Sequence, residues 1–293
     1  MTEGRIIKAL SGFYDVKNEE GTFRCRGRGV FRKKNITPLV GDFVEFDKST
    51  QGEGYILSIK PRKNALIRPP AANIDQAIIV TSAARPDFNP LLLDRFLVLI
   101  ESKHIRPVIL ITKKDLLSES EEADLLDWQA VYQQIGYSVE FVSARELGDF
   151  EFLKQHFKDC VSIVAGQSGV GKSSLLNAVN PSLELQTDDI STSLGRGKHT
   201  TRHVELVEAG GGLVADTPGF STLDLTDISA EELSDCFPEI SEREPGCKFR
   251  GCYHYKEPKC AVKQAVEDGE IAEQRYAHYI RFLDEINSRK PRY

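Results

Sequence analysis

Between Gly166 and Ser173 the chain reads Gly-Gln-Ser-Gly-Val-Gly-Lys-Ser, a G-x-x-x-x-G-K-S spacing that can cradle phosphate. Glycines at these places let successive backbone N–H groups turn inward on an anion, at the positive end of a following helix. Gly166, Gln167, Ser168, Gly169, Val170 and Gly171 would form the cradle, with Lys172 reaching the β- and γ-phosphates. The Ser173 hydroxyl, followed by Ser174, is the candidate ligand for Mg²⁺. Such a spacing can arise by chance. Here the apolar run Val161–Ala165 leads in as a strand and Ser174–Val179 leads out as a helix, the context the chemistry needs.

A second apolar strand, from Val108, ends in Thr112-Lys113-Lys114-Asp115, close to an N/T-K-x-D sequence. A carboxylate there can accept from both N1–H and the exocyclic amine of guanine. Adenine offers no matching pair of donors, so the carboxylate would stay unpaired. The Lys113 stem can cover the flat face of the base. The other reading of Thr112 to Asp115 is a polar strand-to-helix turn. Val139-Glu-Phe-Val-Ser143-Ala144 adds a strand ending in a Ser-Ala pair, whose amides suit guanine O6. Downstream, Gly212-Leu-Val-Ala-Asp216-Thr-Pro-Gly219 ends in D-x-x-G: Asp216 for Mg²⁺ through water, the Gly219 amide for the γ-phosphate. The glycine-rich, basic segment Gly195–Arg202 suits a first switch, with Thr201 or Thr200 completing the metal shell. Guanine-reading elements therefore precede the phosphate loop, a circular permutation of the usual order.

That order, with these motifs, resembles the bacterial ribosome small subunit-dependent GTPase A family over nearly the whole chain. The resemblance implies an N-terminal OB-fold, a permuted GTPase core and a C-terminal zinc-binding domain. It also implies GTP hydrolysis in late maturation of the small ribosomal subunit and contact with its rRNA. The residue after Gly219 is Phe220, which cannot orient a water molecule. His199 is the nearest polar candidate, and the family carries a histidine at the matching position. A plain polar loop residue is the competing reading.

The flanks speak for themselves. The formal charge is −6, yet residues 1–70 hold 14 Lys and Arg against 8 Asp and Glu, and the remainder nets −12. The excess of positive charge lies where short segments (Arg5–Leu10, Thr22–Phe31, Gly41–Phe46, Gly54–Ile59) suggest a small closed barrel. Strand alternation puts Arg24, Arg26 and Arg28 on one face, and Arg32, Lys33 and Lys34 follow as a basic loop. With Phe13, Tyr14 and Phe31 as stacking candidates, this reads as an RNA-binding barrel. A solvated arginine face over core aromatics is the alternative. Lys60 to Pro70 reads as a linker. Strands and helices then alternate to about Thr217.

Cys247-x4-Cys252-x-His254-x5-Cys260 offers three thiolates and an imidazole, a closed tetrahedral set for one structural Zn²⁺. Cys25, Cys160 and Cys236 lie apart in apolar contexts and read as packing residues. Ser229-Ala-Glu-Glu232 has the capping-box form and marks a helix start. A further helix over Ile271–Ser288 carries Arg275, His278 and Arg281 off its apolar stripe, free to touch RNA or to face solvent, and a basic tail follows from Arg289. No basic stretch precedes an apolar core at the N-terminus, and no apolar run is long enough to span a bilayer, so the reading is cytoplasmic and without membrane contact. A monomer is expected, though the sequence itself does not fix the oligomeric state.

The expected fold class is α/β: a circularly permuted P-loop GTPase core over 69–226, an OB-fold β-barrel over 1–68 and a helical zinc-binding domain over 227–293. The expected partners are GTP and GDP with Mg²⁺, and the small ribosomal subunit. A nucleotide-gated RNA-binding module whose hydrolysis is incidental is the alternative function; an ATPase is disfavoured by Asp115. Asp115→Asn should weaken GTP binding on the order of several kcal/mol, because an amide presents a mismatched donor. It should also favour xanthine nucleotides. Titration with GDP and XDP checks both, and unchanged GDP affinity would take Asp115 out of the base pocket.

Overall fold

Five strands at the N-terminus close on themselves. They are β1 (Thr2–Leu10), β2 (Phe13–Asn18), β3 (Gly21–Gly27), β4 (Phe43–Asp47) and β5 (Gly54–Ile59). Pairing runs β1–β2–β3–β5–β4 and back to β1, with β3–β5 parallel and the rest antiparallel. Alternation along each strand sends Ile6, Val16, Cys25, Val44, Phe46 and Ile56 inward, all fully buried. This is the OB-like barrel expected, with β2 added to the four expected segments and with corrections between Gly27 and Lys34. The third strand stops at Gly27 instead of Phe31, because glycines at 27 and 29 interrupt it. Residues Gly29–Lys33 form a short helix, α1, so Arg32 and Lys33 belong to a helix and only Lys34 to a loop. Arg24 and Arg26 share the exposed face of β3; Arg28 lies beyond its end, exposed. The helix turns Phe31 into the barrel core, which removes it as a stacking residue.

The computed structural model describes residues 2–48, 53–67, 69–142, 150–183, 204–216 and 223–289. Ser143, Ala144, His199, Thr200, Thr201, Gly219, Phe220 and the tail from Lys290 lie outside them. The chain forms two compact units, Met1–Val80 with Ser143–Ser221, and Thr81–Val142 with Thr222–Tyr293.

In the first unit, the expected linker proves to be structured. Arg62 donates to both carboxylate oxygens of fully buried Asp42 (2.7 and 2.8 Å), and Leu39 N donates to the same carboxylate. A small ribbon, β6 (Ala65–Leu66) with β7 (Ala71–Ala72), continues the attachment, and Ala72 N bonds Val40 O. Charge and proline content suggest a free linker; the charges instead dock the segment. Beyond it, β8 (Gln76–Ser82), β11 (Val161–Ala165) and β13 (Gly212–Asp216) run parallel, and β12 (Val204–Ala209) pairs antiparallel with β13. The run Val161–Ala165 is buried throughout, as strands covered on both faces must be. Helices α4 (Phe150–Phe157) and α5 (Lys172–Val179) belong to this unit. The barrel joins the sheet directly: β1 pairs with β12 at Lys8↔Glu205 and Ala9↔Val204.

The second unit holds β9 (Arg106–Thr112) parallel to β10 (Ser138–Val142), with α2 (Pro90–Glu101) and α3 (Glu119–Ile135). Asn89 caps α2 by accepting from Leu92 N, and Ser118 and Glu121 form a capping box on α3. From 223 onward come α6 (Pro238–Ser241), α7 (Ala261–Glu267) and α8 (Glu273–Asn287) around Leu225, Leu233, Phe237, Ile240, Tyr279 and Phe282. The Ser229–Glu232 capping box is formed, with bonds of 2.9 and 3.3 Å, but no α-helix follows it. Pro238 disfavours helical backbone at Phe237 (φ −123°, ψ 93°), so the turn ends and a new helix starts at the proline.

Arg275 is the larger correction. Its spacing suggests a solvated face; it is 1% exposed. Its guanidinium donates to Asp94 Oδ1 (2.5 Å) and to both Glu239 oxygens (2.8 and 3.2 Å), and lies 4.6 Å from the Phe237 ring. Burial disfavours the charge, but the two carboxylates outweigh it and hold the guanidinium pKa above its ordinary value. Asp94, itself fully buried, also accepts from the Tyr132 hydroxyl (2.7 Å), and His278 Nδ1 lies 2.6 Å from its other oxygen. Arg281 stays exposed. Arg275→Met would strand two buried carboxylates and should cost about 3–5 kcal/mol in urea unfolding. A loss below about 1 kcal/mol, the scale of an exposed pair, would show that the cluster does not hold the unit together.

Candidate nucleotide site and metal cluster

The buried strand β11 delivers the chain to Gly166, whose φ is +143° and whose added Cβ would sit 2.1 Å from the Val80 carbonyl oxygen. No side chain fits there. Gly171, also left-handed, caps α5, so its helix begins where the loop ends. Val170 is buried and pins the loop from inside, while Gln167 and Ser168 stay exposed. Lys172 lies across the loop, its Nζ donating to Gly166 O (2.9 Å) and Gln167 O (2.6 Å). Burial lowers its pKa. Ser173 and Ser174 occupy the first turn of α5, half-buried. β13 runs beside β11 in register Ile163↔Ala215, which brings Asp216 to the same strand edge as the loop.

In the second unit, β9 ends at Thr112, 7% exposed, whose hydroxyl donates to Thr81 O (3.2 Å). Lys113 takes a left-handed backbone (φ 61°, ψ 28°) and its Nζ donates to the Arg85 carbonyl. Lys114 pairs with Glu122 (2.7 Å) and lies over the Phe141 ring, which draws it toward α3 and β10. Asp115 is exposed within a 3₁₀ turn, Lys114–Leu116. The register Val142↔Thr112 ends β10 level with β9, so the strand leading to Ser143 and Ala144 finishes beside the Thr112–Asp115 turn. The turn Ser82–Phe88, which contacts Thr112 and Lys113, carries no chemical signature in the sequence; Arg85-Pro86 marks only a bend.

These are a phosphate loop and an N/T-K-x-D turn, each on the carboxyl end of a parallel strand, in permuted order. The family described as RsgA GTPase matches residues 59–226, and the RsgA N-terminal domain matches residues 3–56. The chain belongs to the RsgA GTPase family. A relative from Oceanobacillus iheyensis named small ribosomal subunit biogenesis GTPase RsgA 2 is 63% identical over 293 residues, covering both chains in full. The Bacillus subtilis protein named small ribosomal subunit biogenesis GTPase RsgA is 56% identical over 298 residues, again with both covered in full. Among solved structures, YloQ, a circularly permuted GTPase, aligns with a TM-score of 0.85 at 52% identity, covering 100% of this chain and 97% of the other. YjeQ from Thermotoga maritima gives 0.86 at 38%, covering 98% and 99%.

In this RsgA family member, Cys247, Cys252, His254 and Cys260 converge, one donor atom from each lying within 4.8 Å of the rest. Cys247 and Cys260 sulfurs are 3.8 Å apart, and His254 Nδ1 lies 3.5 and 3.4 Å from them. A tetrahedral zinc ion spaces its sulfur ligands by about 3.8 Å and sulfur from nitrogen by about 3.5 Å. The donor set therefore fits. Burial pushes Cys252 up to about 12 and also raises Cys260, and a bound cation would oppose this by favouring their thiolate forms. Helix α8 secures the loop: the Tyr276 hydroxyl donates to His254 O (2.6 Å) and that of Tyr279 to Tyr253 O (3.0 Å). Of the other cysteines, Cys25 and Cys236 are buried packing residues and Cys160 is half-buried.

The barrel face places the Arg24 and Arg26 guanidinium groups 4.4 and 4.5 Å from the Phe13 ring, and Arg26 also pairs with Glu53 (2.6 Å). Lys33 and Lys34 are exposed, and Arg28 with them. Among the described residues no helix is long and apolar enough to cross a membrane. Metal removal tests the cysteine cluster. Elemental analysis should find about one zinc per chain, and Cys252→Ser or a strong chelator should unfold the region around α7 and α8. An unaltered thermal midpoint in Cys252→Ser would show that no metal stabilises the cluster.

Proposed function

We propose that this chain is a GTP-hydrolysing switch, turning GTP and water into GDP and phosphate during late maturation of the small ribosomal subunit. The observation that carries it is the phosphate loop, built around a position, Gly166, that admits only glycine and closed by Lys172. The full-length likeness to proteins named small ribosomal subunit biogenesis GTPases supplies the target. In this reading, backbone amides from Gln167 to Ser173 bind phosphate oxygens and Lys172 leaves its two loop carbonyls to bridge the β- and γ-phosphates. Ser173 and Asp216, with Thr201 or Thr200, would hold Mg²⁺, which draws charge from the β–γ bridge when bound. Asp115 reads the guanine edge, the Lys113 stem covers its face, and the Ser143-Ala144 amides meet O6. The Gly219 amide senses the γ-phosphate. His199 orients the attacking water, since Phe220 cannot.

The three stretches 1–68, 69–226 and 227–293 act as RNA-binding barrel, nucleotide core and zinc-supported helical domain. Arg24, Arg26, Arg28, Arg32, Lys33 and Lys34 supply phosphate-backbone contacts to rRNA, so their effect is salt-dependent. Zn²⁺ is structural, because all four ligand positions come from protein and none is left for water. The protein works in the cytoplasm as a monomer.

Turnover measured with and without purified small subunits tests the proposal. A slow intrinsic rate should rise many-fold on adding subunits, and His199→Ala should blunt that rise while sparing GTP affinity. Arg24→Glu with Arg26→Glu should weaken subunit binding, most at low salt where phosphate contacts count most, and leave nucleotide affinity unchanged. Equal turnover with and without subunits would favour a nucleotide-gated RNA-binding module over a stimulated switch.

A further inference from the structure

Behind the Thr112–Asp115 turn stands a second turn, Ser82–Phe88, which joins β8 to α2. We propose that it is the positioning element for Asp115, acting through Ser82 and Lys113. The inference rests on reading Asp115 as the guanine contact.

Two bonds tie the strand ends together: Ala83 N donates to Thr112 O (2.8 Å), and Thr112 Oγ1 donates to Thr81 O (3.2 Å). They settle where β9 stops. The chain must then turn sharply, and Lys113 does so in the left-handed region, which a lysine occupies only when its surroundings hold it there. Its Nζ provides that hold by donating to the Arg85 carbonyl. Leu116 N donates back to Lys113 O and Leu117 N to Lys114 O (both 3.1 Å), so the 3₁₀ turn bearing Asp115 starts from this residue.

The Arg85 carbonyl has to be presented. Ser82, 1% exposed, donates its hydroxyl to the Pro86 carbonyl (2.5 Å) and so folds the Ser82–Phe88 turn back on itself. Its far end is fixed as well. Asn89 caps α2 through Leu92 N, and the Phe88 ring lies 6.3 Å from that of Trp128 on α3. A turn clamped at both ends thus offers one carbonyl to the lysine that sets the guanine-reading geometry. Ser82, buried with its hydroxyl on the Pro86 carbonyl, acts through Lys113, which makes it a positioning residue.

Positioning predicts a readout that general destabilisation does not. Guanine gives a well-placed carboxylate two donors, N1–H and the exocyclic amine, whereas hypoxanthine gives it N1–H alone. A loosened Asp115 loses more with guanine, so the preference for GDP over IDP should shrink. Calorimetric titration of the full-length protein with GDP and IDP, well below its melting temperature, would compare Ser82→Ala, Lys113→Met, Lys113→Arg and Asp115→Asn. Met keeps the lysine stem and deletes the donor; Arg keeps both. Ser82→Ala and Lys113→Met should weaken GDP about fivefold, the scale of one lost hydrogen bond, and IDP less. Lys113→Arg should restore most of the preference. If Asp115→Asn binds GDP like the wild type, the base-contact reading itself fails. If Asp115→Asn loses GDP while Lys113→Met and Ser82→Ala keep the wild-type GDP-to-IDP ratio, the second turn has no positioning role. Lys113→Met decides the matter should Ser82→Ala not fold.

Discussion

A guanidinium with almost no access to water governs the second unit. Arg275 can remain charged there only because Asp94 from α2 and Glu239 from α6 both reach it. Shifting α8 by one turn would break both pairs at once and bury three uncompensated charges. The helix is therefore locked in register, and its other contacts depend on that. Tyr276 and Tyr279, one and four residues on, reach the backbone of the cysteine loop, while Arg95 of α2 pairs with Glu285 and with the Leu223 carbonyl. One helix thus ties the cysteine cluster to α2, the helix that succeeds the Ser82–Phe88 turn. The Thr112–Asp115 turn and the cysteine cluster lie in one compact unit although about 130 residues of chain separate them.

Permutation leaves the chemistry intact because a parallel sheet does not care about the order of its strands along the chain. Ligand-binding loops sit at carboxyl ends of strands, and a strand keeps its ends wherever the chain is cut and rejoined. β11 carries the phosphate loop and its neighbour β13 carries Asp216, as they must if Ser173 and Asp216 are to share an ion. Likewise β9 and β10 finish level, so the loops that follow them leave from one strand edge although about 30 residues separate them in the chain.

How far the residues announce this depends on the range of the forces involved. The phosphate loop, the D-x-x-G strand and the cysteine spacing are legible because their chemistry is local: glycine conformations, ligand counts and strand–loop–helix order. Four of the five barrel strands are legible from alternation; β2, with Val16 its one fully buried side chain, is not, and neither is α1, since five residues make too short a helix for periodicity to register. The capping box at Ser229 is legible as a box but misleads as a helix start; Pro238, nine residues on, decides otherwise. Arg275 is illegible in principle, as its partners lie at positions 94 and 239. Only packing reveals why a charged residue stands on that side of α8. The contacts of Lys113 and Ser82 are hidden for the same reason, because backbone carbonyls accept without leaving a mark in the sequence.

The seam between barrel and sheet bears on how the molecule comes into being. β1 bonds β2 along one edge and divides its other edge, giving Thr2–Arg5 to β4 and Lys8–Ala9 to β12. All barrel pairings lie within the first 59 residues, but Lys8 and Glu205 are 197 positions apart. As the chain leaves the ribosome the barrel can close early, and it must then wait, with a short open strand edge, for most of the protein to be made. Open edges invite pairing with the wrong chain, and lysine is the side chain that most discourages it. Lys8, which in the finished molecule grips Glu205 at 2.5 Å, would spend the interval before β12 exists as a guard on that edge.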